Sequence, residues 1–121
     1  MVPTTPTILV VDDDPEILTL LADVLTDDGY AVRTAVDGAA AIKCLVEHRP
    51  DLILLDIDMP RLRGIETLIV IRELAPETTV IMISGIADET EARRALTLGA
   101  FDYIPKPFDL TYLHQVIQAA L

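Results

Sequence analysis

Five short apolar segments recur along the chain and are separated by stretches with the spacing of amphipathic helices. The segments cover residues 8–11, 31–32, 52–55, 80–83 and 103–104. The first, third and fourth are continuously apolar rather than alternating, which is typical of strands buried on both faces of a parallel sheet. The pattern therefore predicts five parallel strands in one sheet.

The stretches between the apolar segments carry helix signals. In the first of them, apolar residues from Ile17 to Leu25 fall on one helix face, with Asp14 as the N-cap and Pro15 at the first helical position. Gly29 is expected to end this helix. Four further helices are predicted over residues 38–47, 64–74, 88–98 and 109–120.

The alternation of strands and helices predicts one doubly wound α/β domain over residues 1–121. Right-handed crossovers would place helices on both faces of the sheet. In open sheets of this kind, ligands bind outside the carboxyl ends of the strands. The residues that directly follow each apolar segment are therefore the candidates for function.

Polar side chains follow four of the five predicted strands. They are Asp12 and Asp13 after the first strand, Asp56 and then Asp58 after the third, Ser84 after the fourth and Lys106 after the fifth. Two carboxylates about 5 Å apart repel by roughly 3 kcal/mol at an effective dielectric constant of 20. Such a cluster needs a counter-charge, which Lys106 and a hard divalent cation would supply. Oxygen-only ligands favour Mg²⁺, Mn²⁺ or Ca²⁺ over zinc.

A carboxylate at this position is also a nucleophile that can form an acyl phosphate. Phosphoryl transfer depends mainly on positioning and charge neutralisation. Lys106 and a cation could stabilise the phosphoryl oxygens, and Ser84 could donate a hydrogen bond to them. No general base is required, because an ionised Asp56 has no proton to lose.

The composition narrows the classes of partner. Lys and Arg number 9 and Asp and Glu number 20, so the net charge is −11, which disfavours nucleic-acid binding by this domain. No apolar run approaches the roughly 20 residues that a membrane span needs, and the N-terminus lacks signal-peptide features. We therefore expect a cytoplasmic domain without membrane contact. The single cysteine, Cys44, excludes an internal disulfide and is expected to be a packing residue.

Four motifs close four of the predicted strands in order. They are VVDD at residues 10–13, LLDIDMP at 54–60 with Gly64 beyond it, ISG at 83–85 and GAFDYIPKPF at 99–108. Together they resemble the receiver domain of bacterial two-component response regulators, of the chemotaxis-regulator-like kind, over the full length of the chain. The resemblance implies a flavodoxin-like fold with strand order 2-1-3-4-5 and five helices.

The resemblance also implies a role for each site residue. Asp56 would be the phosphoacceptor. Mg²⁺, or Mn²⁺ in its place, would be bound by the carboxylates of Asp13 and Asp56, by the backbone carbonyl of Asp58, and by Asp12 through water. Ser84 and Lys106 would contact the phosphoryl group.

Further features of the family concern the switch. Tyr103 matches an aromatic position whose ring turns inward when Ser84 is drawn toward the phosphate, although an aromatic residue near a strand end can also serve packing alone. The Lys106–Pro107 peptide bond is expected to be cis. Gly64 matches a glycine in the turn before the third helix.

The resemblance implies partners as well. The phosphoryl donor would be a sensor histidine kinase or a phosphotransfer protein, and the output would pass to a downstream effector domain or protein through the face formed by helix 4, strand 5 and helix 5. A phosphorylation-dependent homodimer is compatible with this scheme. The chain would catalyse only its own phosphorylation and slow dephosphorylation, so it would not be an enzyme that turns over a metabolite.

Other functions remain open from the residues alone. Asp56-Ile57-Asp58 also spells the DxD of aspartate-nucleophile phosphohydrolases, in which the second acid protonates the leaving group. Against that alternative, the DxD of that class usually follows the first strand. A receiver-like binding module that is never phosphorylated is the other alternative. A nucleotide-binding domain is disfavoured, because the turn after the first strand has no glycine-rich loop.

Overall fold

The computed structural model describes residues 5–58, 64–85 and 89–121. Within these ranges five strands and five helices alternate along the chain: β1 Thr7–Val11, α1 Pro15–Asp27, β2 Ala31–Ala35, α2 Gly38–Glu47, β3 Leu52–Asp56, α3 Gly64–Leu74, β4 Thr79–Ser84, α4 Glu89–Thr97, β5 Asp102–Pro105 and α5 Leu110–Ala120. The predicted alternation is confirmed. Met59, Pro60 and Asp88, on which parts of the motif and of the helix 4 prediction rest, lie outside the described residues.

The five strands form one parallel sheet in the order β2-β1-β3-β4-β5. This is the order that the sequence resemblance implies. In the register of the central strands, Val11 lies beside Leu55, and Asp56 beside Ile83. The carboxyl ends of β1, β3 and β4 therefore meet at one edge of the sheet.

Alternate residues of the central strands enter two separate hydrophobic clusters. Leu9 and Ile53 pack with the apolar residues of α2, α3 and α4, whereas Ile8 and Leu52 pack with those of α1 and α5. The sheet is thus covered by helices on both faces, as the continuously apolar segments predict. Cys44 packs against the first cluster, and burial raises the pKa of its thiol.

Aspartates cap the helices that follow β1, β2 and β5. Asp14 accepts a hydrogen bond from the Glu16 amide at 2.9 Å, and Pro15 begins α1, as predicted. Asp37 and Asp109 cap α2 and α5 in the same way. Each capping oxygen satisfies an amide that has no partner inside the helix. These caps fix where the chain leaves the carboxyl edge of the sheet.

The strand that differs most from prediction is β2, which extends over Ala31–Ala35 rather than residues 31–32. Arg33 and Thr34 are exposed in it. Because β2 lies at the edge of the sheet, polar residues fit there, and a prediction based on apolar character stops too early.

The last two helices of the chain, α4 and α5, are anchored differently. Among the α4 side chains that the structure describes, Ala95 is the only buried one, and Leu96 is 46% exposed. By contrast, α5 buries Leu113, Val116 and Ile117. Among the described residues, α4 is therefore anchored to the core more weakly than α5. No helix in the described ranges is both long enough and apolar enough to span a bilayer.

Candidate functional site

Asp56 is the last residue of β3 and is only 2% exposed. The Ile57 amide donates to the Ile83 carbonyl at 2.9 Å, which prolongs the pairing of β3 with β4 just past Asp56. The Asp58 amide donates to Asp56 Oδ1 at 3.0 Å. The backbone thus fixes the Asp56 carboxylate at the centre of the carboxyl edge and leaves Oδ2 facing Lys106 at 3.5 Å.

Three carboxylates form the core of the site. Asp12, Asp13 and Asp56 each place one oxygen within 4.8 Å of the other two. Asp12 is 3% exposed, and its Oδ1 accepts from the Asp14 amide at 2.9 Å, which orients the side chain. Asp13 is exposed. We refer to Asp12, Asp13, Asp56 and Lys106 together as the carboxylate cluster.

Lys106 supplies the positive charge of the carboxylate cluster. Its Nζ lies 2.8 Å from Asp12 Oδ2 and 3.5 Å from Asp56 Oδ2. Its amide donates to the Ser84 carbonyl at 2.6 Å, and the Lys106–Pro107 peptide bond is cis, as the resemblance implies. When all four groups are ionised, three negative charges face one positive charge. The oxygen-only ligands and the excess negative charge suit one hard divalent cation.

The electrostatics of the metal-free cluster follow from this arrangement. Burial raises the pKa of Asp56 to about 6, and Asp12 and Asp58 add to the rise, although the Asp58 amide and Lys106 oppose it. Burial alone would lower the pKa of Lys106, but the hydrogen bond that Lys106 donates to Asp12 and the negative charge of Asp56 outweigh burial and raise that pKa. Lys106 therefore stays charged, while an ionised Asp56 is costly without a cation.

A second group of contacts lies at the end of β4. The Asp58 carboxylate accepts a hydrogen bond from Ser84 Oγ, which lies 2.9 Å from Oδ2 and 3.1 Å from Oδ1. The Gly85 amide also donates to Asp58 Oδ2, at 2.9 Å. We refer to Asp58, Ser84 and Gly85 as the Asp58 bridge. Sequence reasoning missed this bridge, because nothing in the local pattern pairs residues 26 positions apart.

Gly64, the first residue of α3, lies directly against the backbone at the end of β3. Its amide donates to the Ile57 carbonyl at 3.3 Å. A Cβ atom on Gly64 would lie 2.5 Å from the Asp56 carbonyl oxygen and 2.5 Å from Ile57 Cα, closer than real Cβ atoms come. Only glycine fits here without moving the backbone that carries Asp56.

Tyr103 lies on β5 beside Met82 of β4 and is half-buried. It packs against the hydrophobic cluster on the face of α2, α3 and α4.

The structure brings Asp12, Asp13, Asp56 and Lys106 together, and places Ser84 next to them through the Lys106 amide. The roles of these residues and of Tyr103 stay predictions.

Comparison with known proteins places the chain in a family. The profile of the response regulator receiver domain matches residues 8–118. The nitrogen assimilation regulatory protein NtrX of Azorhizobium caulinodans is 43% identical over 116 residues, which are 94% of this chain and 26% of that protein. The transcriptional regulatory protein PrrA of Mycobacterium tuberculosis is 40% identical over 118 residues, 98% of this chain and 51% of that protein. The chain thus spans about a quarter of one relative and about half of the other.

Solved structures agree with this placement. The chemotaxis protein CheY4 of Vibrio cholerae has a TM-score of 0.91 and 28% identity, over 98% of this chain and 100% of that one. The receiver domain of NtrX from Brucella abortus has a TM-score of 0.89 and 40% identity, over 94% of this chain and 97% of that one. The fold is therefore the CheY-like, flavodoxin-like fold, and the chain belongs to the response regulator receiver domain family of two-component systems.

Proposed function

We propose that the chain is the phosphoacceptor of a two-component system and that Asp56 carries the phosphoryl group. The observation that supports this most directly is the buried Asp56 carboxylate at the end of β3, with Lys106 Nζ 3.5 Å from its Oδ2 and with Asp12 and Asp13 beside it. The donor is a phosphohistidine on a sensor histidine kinase or a phosphotransfer protein, or a small acyl phosphate.

The transfer needs no base. A carboxylate oxygen of Asp56 attacks the phosphorus atom, and the new O–P bond forms as the bond to the donor's nitrogen or acyl oxygen breaks. The electron pair of the broken bond leaves with the donor. Lys106, which burial and its two carboxylate partners hold near the site, balances the charge of the phosphoryl oxygens.

Mg²⁺, or Mn²⁺ in its place, would be held by the carboxylates of Asp13 and Asp56, by the backbone carbonyl of Asp58, and by Asp12 through water. The excess negative charge of the carboxylate cluster supports this assignment. When bound, the ion supplies positive charge to the phosphoryl oxygens. Asp14 is outside the ligand set, because its carboxylate caps α1.

Phosphorylation would bias two pre-existing conformations through Ser84, Lys106 and Tyr103. The readout is the face formed by α4, β5 and α5, which passes the signal to a downstream effector domain or protein. The weak anchoring of α4, with Ala95 as the only buried side chain among those described, supports a surface that shifts at low cost. A phosphorylation-dependent homodimer would use the same face.

The aspartate-nucleophile phosphohydrolase alternative requires Asp58 to protonate a leaving group. The Asp58 carboxylate instead accepts hydrogen bonds from Ser84 and Gly85, which does not support that role. We infer that the chain acts in the cytoplasm as a signalling domain that catalyses only its own phosphorylation and slow dephosphorylation.

Incubation with acetyl phosphate and Mg²⁺, followed by intact mass spectrometry, tests the proposal. We expect an adduct of one phosphoryl group in the wild-type protein and none in Asp56→Asn. Asp14→Asn is the matched control, because it removes a neighbouring charge outside the ligand set and should keep the adduct. An adduct that persists in Asp56→Asn, or its absence from the wild type, would refute the proposal.

A further inference from the structure

The Asp58 bridge joins an anion to two donors at the end of β4. The donors are the Ser84 hydroxyl and the Gly85 amide, and both contact the same carboxylate oxygen at 2.9 Å. They lie next to the carboxylate cluster, because the Lys106 amide donates to the Ser84 carbonyl. A hydroxyl and a backbone amide that converge on one oxygen form a small anion-binding site.

The hydroxyl cannot serve two acceptors at full strength. Serine has one O–H proton, so Ser84 cannot donate fully both to Asp58 and to a phosphoryl oxygen on Asp56. The two acceptors are both anions, and they repel each other when they are close. The Ser84 hydroxyl therefore stabilises either the Asp58 carboxylate or a phosphoryl oxygen on Asp56, but not both at full strength.

We propose that the Asp58 carboxylate is a tethered anion that occupies the Ser84 and Gly85 donors in the resting state and must leave them before they bind a phosphoryl oxygen. This rests on the proposed function and adds a regulatory residue to it. Asp58 is exposed, so water can take over its hydrogen bonds when it leaves. The resting state thus gains an interaction that is lost on phosphorylation, and the response becomes harder to trigger.

Beryllium trifluoride, a non-covalent mimic of the phosphoryl group, provides the test. Its affinity is measured by calorimetry at saturating Mg²⁺, so that a change in metal affinity does not enter the result. We expect Asp58→Ala to bind the mimic about tenfold more tightly than the wild type, since a charged hydrogen-bond acceptor no longer competes. Asp58→Asn keeps the shape and one acceptor oxygen, and should fall between the two.

Ser84→Ala separates competition for donors from simple charge repulsion. If Asp58 acts through Ser84, the gain from Asp58→Ala should shrink to less than about threefold in the Ser84→Ala background, as a double-mutant cycle would show. An equal gain in both backgrounds means repulsion alone, and no gain in either means no competition; both results overturn the inference. A wild-type protein that does not bind the mimic overturns the proposed function itself.

The amide of Gly85 gives a readout that needs no phosphoryl mimic. In metal-free protein, hydrogen exchange at Gly85 should be about tenfold faster in Asp58→Ala than in the wild type, because the amide loses its acceptor. The melting temperatures of the two proteins show that both are folded. Unchanged exchange at Gly85 would mean that the bridge does not form in solution, which contradicts the inference.

Discussion

The carboxylate cluster and the Asp58 bridge lie side by side at the carboxyl edge of the sheet, but their negative charges are stabilised in different ways. In the cluster, Asp12 and Asp56 are 3% and 2% exposed, so water does little to stabilise their charges. Lys106 offsets only part of the charge. In the bridge, an exposed Asp58 accepts hydrogen bonds from neutral donors.

This difference determines what each region can gain. Added positive charge stabilises the cluster, and another anion without a cation destabilises it through repulsion between like charges. In the bridge, the Asp58 carboxylate already accepts hydrogen bonds from Ser84 and Gly85. A new anion can therefore bind these two donors only by replacing that carboxylate. Binding of a cation and a phosphoryl group would therefore relieve the cluster and disrupt the bridge, which links the chemistry of Asp56 to a change at Ser84.

The largest effect is expected from Gly64→Ala, which disturbs the backbone under the carboxylate cluster. The added Cβ would lie 2.5 Å from the Asp56 carbonyl oxygen, so the end of β3 or the start of α3 must move. We expect a loss of about 3 kcal/mol in the free energy of unfolding, in the range of overpacked cores, and a loss of the phosphoryl adduct. Urea unfolding and intact mass spectrometry measure the two effects.

Gly29→Ala is the control for Gly64→Ala. Gly29 has a φ of 96° but open space around its Cβ position, so only backbone strain of about 1 kcal/mol is expected. Equal losses at the two glycines would show that the close approach to Asp56 carries no special cost.

The next largest effect is expected from Lys106→Met, which removes the counter-charge of Asp12 and Asp56. In metal-free protein at pH 8 we expect a loss of about 2 kcal/mol in the free energy of unfolding, since a buried charge without its partner is costly. Lys43→Met is the matched control, because Lys43 is the other lysine of the chain and is exposed. Chemical denaturation should leave Lys43→Met within about 0.5 kcal/mol of the wild type; a similar loss in both variants would contradict the role given to Lys106.

Asp56→Asn should have the opposite effect and increase the free energy of unfolding of the metal-free protein. The pKa of Asp56 is raised from 3.8 to about 6 in the folded state, so folding favours the protonated form. The stability that protonation contributes is complete below pH 3.8 and is lost as the pH rises through about 6. At pH 8 we expect Asp56→Asn to be more stable by about 1–2 kcal/mol, less than the full shift implies because the site is open to solvent at Asp13.

Thermal melting in a chelating buffer from pH 4 to pH 8 checks this prediction. The difference between Asp56→Asn and the wild type should grow with pH and should shrink or reverse at pH 8 when Mg²⁺ is added, because the ion stabilises the wild type more. A difference that does not depend on pH would show that Asp56 ionisation is not its cause.

The sequence predicted the carboxylate cluster better than the Asp58 bridge, for a physical reason. Each residue of the carboxylate cluster follows an apolar segment, so the rule that ligands bind at the carboxyl ends of parallel strands is enough to predict that these residues lie together. The same rule places Ser84 at that edge. The rule does not predict the strand order, since many orders satisfy an alternating pattern of strands and helices. The order 2-1-3-4-5 is implied only by the family resemblance.

The direction of the Asp58 side chain could not be predicted in this way. It depends on the path of the backbone after β3 and on the exact distance to the end of β4, which residue types do not encode. Edge strand β2 shows the same limit, because Arg33 and Thr34 continue a strand whose apolar signal has already ended. Burial patterns predict what lies in the core, and they predict poorly what lies at its margins.

The smallest effect concerns two adjacent acids that the sequence alone barely distinguishes. Asp14 caps α1 by accepting from the Glu16 amide, so Asp14→Ala should lower the free energy of unfolding by about 1 kcal/mol and leave the calorimetric Mg²⁺ affinity nearly unchanged. Asp13 is exposed and belongs to the carboxylate cluster. Asp13→Ala should therefore weaken Mg²⁺ binding by about tenfold or more while costing little stability in metal-free protein, since it removes a repelling charge. If the two variants lost Mg²⁺ affinity equally, the cation would be responding to the summed acidic charge of the turn and not to ligands chosen by their place at the end of β1.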